Sequence, residues 1–509
     1  MKRKLLTTGA MFVATLLVGV MTAQAADIKF GGQMRPRYEI FEQNDFDKKT
    51  DPTHFFLTRI RLNADIKATE KISAFIQFQA RGVYGSGTGG LIPSGITDVD
   101  HVAGPRNAAV PADGLTDVGM HQAYFVVQDF FGMPADLKIG RQEVVLDGHR
   151  LFGNTGWTTG AQSSDAIRLD HHHGDNTFSY IFIKAIEAMG SVPFAVGGNS
   201  GGAPTSLGGE GPGGLLGQGT CGRTGFAGGD LNDNCDREDH VFWGNIKTML
   251  PNAVISPYLV ITVDNSWNGL NGTNPDNEML TVGGRIVGNM AGFDYRFEGY
   301  FQGGRAEGIA STMPATGKVV SAAALTAYKK GGGSGVDRRA YMIGARLGKT
   351  FKTVMWTPTF TLWYDRLSGT DSEDINDGIW GTFDTLYDTG HKFYGYMDTY
   401  LNATGGDTSY LGLEDIAVKM AMNPAANWTV KADLHYFKTP AENIDLGREL
   451  DITLVHKYSP NLTMTAGYSN YWADPGFHLV NPRASRSGAQ GGIIDGSANW
   501  GYVQLDLKF

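Results

Sequence analysis

Cysteine is nearly absent: Cys221 and Cys235 are the two in 509 residues. Two cannot make a disulfide framework, and the lack of a C-x-x-C-H run argues against covalent c-type haem. In an oxidising compartment the pair reads as one local disulfide inside a Gly-rich stretch. Long apolar runs are missing too. Beyond residue 25 nothing approaches the roughly 18 residues of a spanning helix. Basic excess is also lacking, with 43 Lys plus Arg against 52 Asp plus Glu. That acidic balance argues against a nucleic-acid partner. No fixed repeat of about 20 to 50 residues marks a solenoid or propeller. No nucleophile elbow or metal-protease motif accompanies the serines and histidines.

The N-terminus carries Lys2, Arg3 and Lys4, an apolar stretch from Leu5 to Met21, and Ala23-Gln24-Ala25. A basic start, a short greasy middle and an A-x-A site predict a cleaved secretory signal over residues 1–25. Removing it leaves 40 basic and 52 acidic residues, a net charge of −12. The full sequence is rich in Gly (70), Phe (27), Tyr (20) and Trp (9), nearly all of them in 26–509. Many aromatics at low overall hydropathy suit a barrel that shows lipid only every second residue.

Alternation supports this. The last residues, Asn499 to Phe509, place Val503, Leu505, Leu507 and Phe509 on one side and Tyr502, Gln504, Asp506 and Lys508 on the other. A terminal strand must pair backwards, most economically with one near the N-terminus, and such pairing closes a barrel. With its C-terminal Phe it also resembles the closing strand of bacterial outer-membrane proteins.

The same period of two runs through 27–41, 54–66 and 72–81 as a meander. It continues to the C-terminus, with long and short connections in turn. Short turns are expected at 171–176, 288–292 and 423–424. The count is about eighteen strands, each near the ten residues that a tilted barrel strand needs. The expected fold is therefore all-β, a transmembrane antiparallel barrel with long extracellular loops. A soluble β-sandwich would also alternate, but would rarely need so many strands of nearly equal length in one domain.

An outward Arg or Lys near mid-membrane costs about 2–4 kcal/mol, so strand charges should face the lumen. Parity places Arg35, Arg37, Arg59, Arg61, Arg81, Arg168, Arg285, Arg296, Arg346 and Lys431 there. It also places Glu39, Asp65, Asp294, Glu298, Asp433, Glu449 and Asp451 there. A wall of both signs can be merely ion-paired and solvated. Arginines concentrated in the early strands suggest a basic track for an anion.

Two segments add a resemblance. Gly140-Arg141-Gln142-Glu143, Asp147-Gly148-His149-Arg150-Leu151-Phe152-Gly153-Asn154, Trp157 and Ser164 to Leu169 resemble the alginate-export family of outer-membrane barrels. So do Tyr364 to Gly369, Gly381 to Tyr387 and His391 to Asp398. The resemblance implies an eighteen-stranded channel with pore arginines for an anionic polysaccharide. Arg141 and Arg168 lie within the matching motif. Arg141 shares its side with Leu137 and Ile139, which points to the rim where the strand ends. The long insertion 186–238 and the mixed-sign lumen weaken an alginate assignment.

Weaker motifs have bland readings. Asp230 to Asp236 lacks the Gly and distant Glu of an EF-hand. Asp371, Glu373, Asp374 and Asp377 could bridge divalent ions to lipopolysaccharide. His171 to His173 alternate faces and read as a polar periplasmic turn. No cofactor, metal or catalytic residue is expected. The predicted function is an outer-membrane channel for hydrophilic solutes, anionic ones or polysaccharide included, in contact with outer-membrane lipid and lipopolysaccharide. The alternative is a sheath or structural partner for a periplasmic or redox protein. A barrel enzyme would need a nucleophile and base held together at the membrane edge.

Overall fold

The computed structural model describes residues 27–42, 46, 51–83, 118–186, 237–264, 277–306, 336–401, 406–481 and 496–509. The expected leader, the Cys221–Cys235 bridge and the acidic run at 230–236 lie outside them. Eighteen antiparallel strands form the wall. The first nine are β1 (Asp27–Glu42), β2 (Thr53–Lys67), β3 (Ile72–Val83), β4 (Val118–Val127), β5 (Ala135–Gln142), β6 (Ser164–His173), β7 (Asn176–Ile186), β8 (Arg237–Asn245) and β9 (Ala253–Asp264). The rest are β10 (Asn277–Met290), β11 (Phe293–Ala306), β12 (Val336–Thr350), β13 (Thr359–Leu367), β14 (Leu413–Ala425), β15 (Trp428–Lys438), β16 (Asp445–Lys457), β17 (Leu462–Ala473) and β18 (Ser497–Lys508).

Each strand pairs with its sequence neighbours, and β1 pairs with both β2 and β18, which closes the ring. The seam runs from Glu42 opposite Asn499 to Gln33 opposite Lys508. It is finished by Gly32 N–H to Phe509 O at 2.8 Å and Phe509 N–H to Gly32 O at 3.1 Å. A closed ring leaves no unpaired edge, which hydrocarbon would penalise. Among the described residues no helix is long and apolar enough to cross a membrane.

Alternation sorts the faces. Phe30, Leu62, Phe78, Phe297, Phe301, Ile343, Leu362, Leu434 and Val503 are exposed on the outside. Their neighbours along the strands, such as Arg35, Arg59, Gln79, Glu298, Gln302, Arg346, Asp365 and Glu449, are buried. Polar-in and apolar-out is the inverse of a soluble core and matches a barrel in lipid.

Several strands outrun the expected boundaries. β6 continues through His173 and turns at Gly174-Asp175, so His171 to His173 are strand residues rather than a turn. β10 reaches Met290, leaving only Ala291-Gly292 as the turn. Asn423-Pro424 lies inside β14, where the register shifts between Met422 and Ala425. The bulge lets a proline, which has no N–H to donate, sit within a paired strand. Short turns and both ends of the barrel lie at one end of the cylinder; the long connections lie at the other.

Candidate functional site

Two of the long connections turn back into the barrel. The first, residues 143–163, follows β5. Val144, Leu146, Leu151 and Phe152 are buried, and between these apolar pairs a tight turn presents Asp147 and Arg150. Asp147 accepts from Trp243 Nε1 at 2.9 Å, Ser256 Oγ at 2.9 Å, Tyr258 Oη at 2.6 Å and Arg285 Nη1 at 3.3 Å. These donors stand on β8, β9 and β10. Arg150 pairs with Glu298 of β11 at 3.2 Å and Asp365 of β13 at 2.5 Å, and donates to Tyr394 Oη at 2.9 Å. Burial alone would lower the Arg150 pKa; Asp365, Tyr394 and Glu298 raise it well above the ordinary value.

The far half of the segment rests on β1 and β2. Arg35 donates to the carbonyls of Gly156, Trp157 and Thr158 at 2.6, 2.8 and 2.7 Å. Arg37 donates to Trp157 O at 2.8 Å, and Arg59 to Thr158 O at 3.0 Å. Gln79 of β3 reaches Gly160 O at 2.6 Å. At the near end Glu143 meets His121 at 2.9 Å, Arg61 at 3.3 Å and the Asn154 amide at 2.8 Å. Burial pushes the Glu143 carboxyl up, but His121, Arg61 and Asn154 outweigh it and hold the pKa at about 2. One segment that touches β1–β4 and also β8–β13 must cross the lumen.

The second inward segment, described over residues 368–401 and 406–412, follows β13 and carries α1 (Ser372–Asp377). It packs Phe383, Leu386, Phe393, Tyr394, Met397 and Tyr400 into the interior. It joins the first segment through backbone hydrogen bonds. Gly153 N–H donates to Tyr387 O at 2.7 Å, Tyr387 N–H to Leu151 O at 2.8 Å, and Thr389 N–H to His149 O at 3.1 Å. On the wall, Gln302 brackets Asp384, donating to its carbonyl at 2.8 Å and accepting from its N–H at 2.7 Å. Met397 N–H donates to Glu449 at 2.9 Å and Tyr396 N–H to Asp451 at 3.3 Å.

Charge is laid out by sector. Arg35, Arg37 and Arg59 are buried in β1–β2, with Arg61 and half-buried Arg81 beside them. Register places Arg35 opposite Arg59 and Arg59 opposite Arg81, one basic row over three strands. Nine strands on, half the circumference away, are Arg285, Arg296 and Arg346. Arg346 pairs with Glu298 at 2.8 Å and Asp365 at 3.1 Å and stacks on Trp363 at 3.3 Å. Arg296 approaches Glu298 at 3.7 Å. Lys392 of the second segment faces this sector; burial and then the charges of Arg296, Arg285, Arg150 and Arg346 push it below the usual lysine range. Burial and Lys392 push the His149 pKa down to about 4. The acidic residues concentrate on β14–β16, where Asp415, Asp433, Glu449 and Asp451 are buried with His435.

The remaining residues singled out from sequence stand apart from the crossing. Arg168 pairs with Asp170 at 2.8 Å along its own strand. Lys431 is exposed near the Ala426-Asn427 turn, on the same side of β15 as Asp433. Arg141 shares the side of Leu137 and Ile139 and pairs with Asp165 at 2.8 Å. Parity did not reach Asp147, Arg150 and Glu143, which sit in a connection without alternation. The sign they offered was charge beside Gly and large apolar residues in a loop. Among the described residues no group of three or more His, Cys, Asp or Glu could hold a metal ion.

The alginate-export family model matches residues 26–185 and 232–446, well over half of the chain. No curated protein matches it. Several crystal structures are similar over most of the chain. Acinetobacter baumannii OccAB1 is 12% identical with a TM-score of 0.53, covering 95% of this chain and 96% of that one. Acinetobacter baumannii OccAB3 is 11% identical at 0.52, covering 95% and 99%. Pseudomonas aeruginosa OccK8 (OprE) is 10% identical at 0.52, covering 95% and 98%. At such identities the likeness establishes the fold.

Proposed function

The chain belongs to the alginate-export family, and from that premise we propose that this outer-membrane channel is selective for hydrophilic anions, its aperture set by the two inward segments. The observation that carries the reading is the pair of basic sectors facing each other across the lumen, Arg35, Arg59 and Arg81 on one side and Arg285, Arg296 and Arg346 on the other. Barrels of 16–18 strands leave an aqueous channel unless something fills it. Here the chain's own segments narrow it. An anion passing between the two basic walls gains Coulomb attraction, most beside Arg35 and Arg59, because Asp147, Glu298 and Asp365 offset part of the charge of Arg285, Arg296 and Arg346. The acidic strands β14–β16 are covered by residues 394–398, whose amides occupy Glu449 and Asp451. They contribute less to the field that a solute meets.

In this reading Arg35, Arg37, Arg59, Arg61, Arg81, Arg285, Arg296 and Arg346 line the passage, Arg168 and Lys431 lie along its wall, and Arg141 marks its rim. The Arg35 and Arg59 charges are met by backbone carbonyls rather than carboxylates. They keep a positive potential where an ion pair would cancel it. A sheath around a redox protein is disfavoured, because residues 143–163 and 368–401 occupy the space such a partner needs. The test is single-channel current across a planar bilayer and its reversal potential in a salt gradient. Wild-type steps should show anion preference, and Arg296→Gln with Lys392→Gln should move the reversal potential toward that of cations. Unselective or cation-selective steps from folded protein would sink the proposal.

A further inference from the structure

The lipid-facing side carries a charge pattern of its own. Near the headgroups an outward Arg or Lys costs only about 0–1 kcal/mol, against about 2–4 kcal/mol at mid-depth. Along β11–β16 the outward basic residues at the long-connection end are Arg305, Arg339, Arg366, Lys438 and Arg448. They share their strand sides with exposed Phe301, Ile343, Leu362, Leu434 and Ile452. At the short-turn end of these strands the outward counterpart is Lys349.

Glu414, also on this face, pairs with two of the five. Arg366 Nη1 and Lys438 Nζ, the latter at 3.2 Å, share its carboxylate, and Arg366 Nε donates to Tyr341 Oη at 3.1 Å. One acid thus orients two cations and neutralises one. Among the described residues Arg339 reaches only Asp337, at 3.4 Å, with side chains 61% and 67% exposed. Arg305 and Arg448 form no ion pair among the described residues. Strands lie about 4.8 Å apart, so Arg339 on β12 and Arg448 on β16 bracket roughly 20 Å of rim.

We propose that this belt docks the phosphorylated headgroup of an outer-leaflet glycolipid, lipopolysaccharide. Arg339 and Arg448 contact its phosphates, and Arg366 and Lys438 are held in place by Glu414. Long connections face outward in such barrels, so the belt lies at the level of the outer-leaflet headgroups. Ile343, Leu362, Leu434 and Ile452 lie directly below it, where acyl chains begin. Arginine pairs with phosphate in a bidentate, charge-assisted way that a neutral headgroup cannot reproduce. The inference rests on residence in the outer membrane and is independent of the solute carried.

The test titrates the full chain in detergent with bisphosphorylated lipid A and with its dephosphorylated form, reading bound lipid by native mass spectrometry. Wild-type protein should retain the phosphorylated form more tightly. Arg339→Glu with Arg448→Glu should weaken that binding by about tenfold or more, the scale of one lost charged hydrogen bond, while Lys349→Glu leaves it unchanged. Equal retention of both lipids by wild type, or undiminished binding in the double variant, overturns the proposal. Heat-modifiable migration shows whether the double variant is folded. If it is not, Arg339→Gln with Arg448→Gln removes the charges without adding new ones and is read the same way.

Discussion

Arg150 lies between two buried carboxylates, Glu298 and Asp365, with the Phe393 ring 3.7 Å from its guanidinium carbon. Removing Arg150 leaves two buried carboxylates to share mainly Arg346, and breaking a buried pair of this kind costs about 3–5 kcal/mol. Arg150→Met should therefore lower unfolding stability by about 3 kcal/mol in denaturant titrations of the reconstituted barrel. Glu143 gives a pH dependence of defined sign. Its folded pKa, about 2, lies below the ordinary 4.5, so its stabilisation is complete above about 4.5 and is lost as pH falls toward 2. Glu143→Gln should flatten stability over that window while leaving its slope above pH 5 unchanged. Strand parity could mark Arg35 and Arg59 as inward, because lipid penalises the alternative. It could not show that they grip carbonyls of residues 156–158, since those partners are more than ninety residues away in a connection without a period.

The strands were legible because lipid on one side and water on the other impose a period of two along each of them. Their ends were less so. The polar His171-His172-His173 looks like a turn, yet near the headgroups a strand tolerates polar residues, and the pairing continues to His173. Asn423-Pro424 looks like a breaker, and a bulge absorbs it. The inward segments escaped because their contacts are with the far wall and with each other. Where they cross, a Cβ on Gly153 would stand 2.2 Å from Thr389 Oγ1 and 2.8 Å from His149 Cβ. Gly153→Val should thus part the two segments and raise single-channel conductance, with the barrel's heat-modifiable migration retained. Conductance equal to wild type would show that this crossing does not set the aperture.

At the scale of the whole molecule, the even strand number puts both ends of the barrel on the short-turn side, and the seam between β1 and β18 fixes them there. A cysteine at Ser372 should react with a membrane-impermeant thiol reagent on intact cells, and one at Asn427 only after lysis; wild-type cells measure the labelling due to Cys221 and Cys235. The interior also imposes an order in time. Arg150 is translated well before Glu298, Asp365 and Tyr394, the groups that hold it, and Tyr387 must arrive before Gly153 has its partner. The Asp147–Gly153 part of the segment therefore lacks its far-wall seats until about three quarters of the wall exists, although residues 156–160 already have theirs on β1–β3. Narrowing of the passage is consequently a late event in biogenesis, and a chain arrested before β13 would leave an unguarded hole rather than a smaller version of the mature pore.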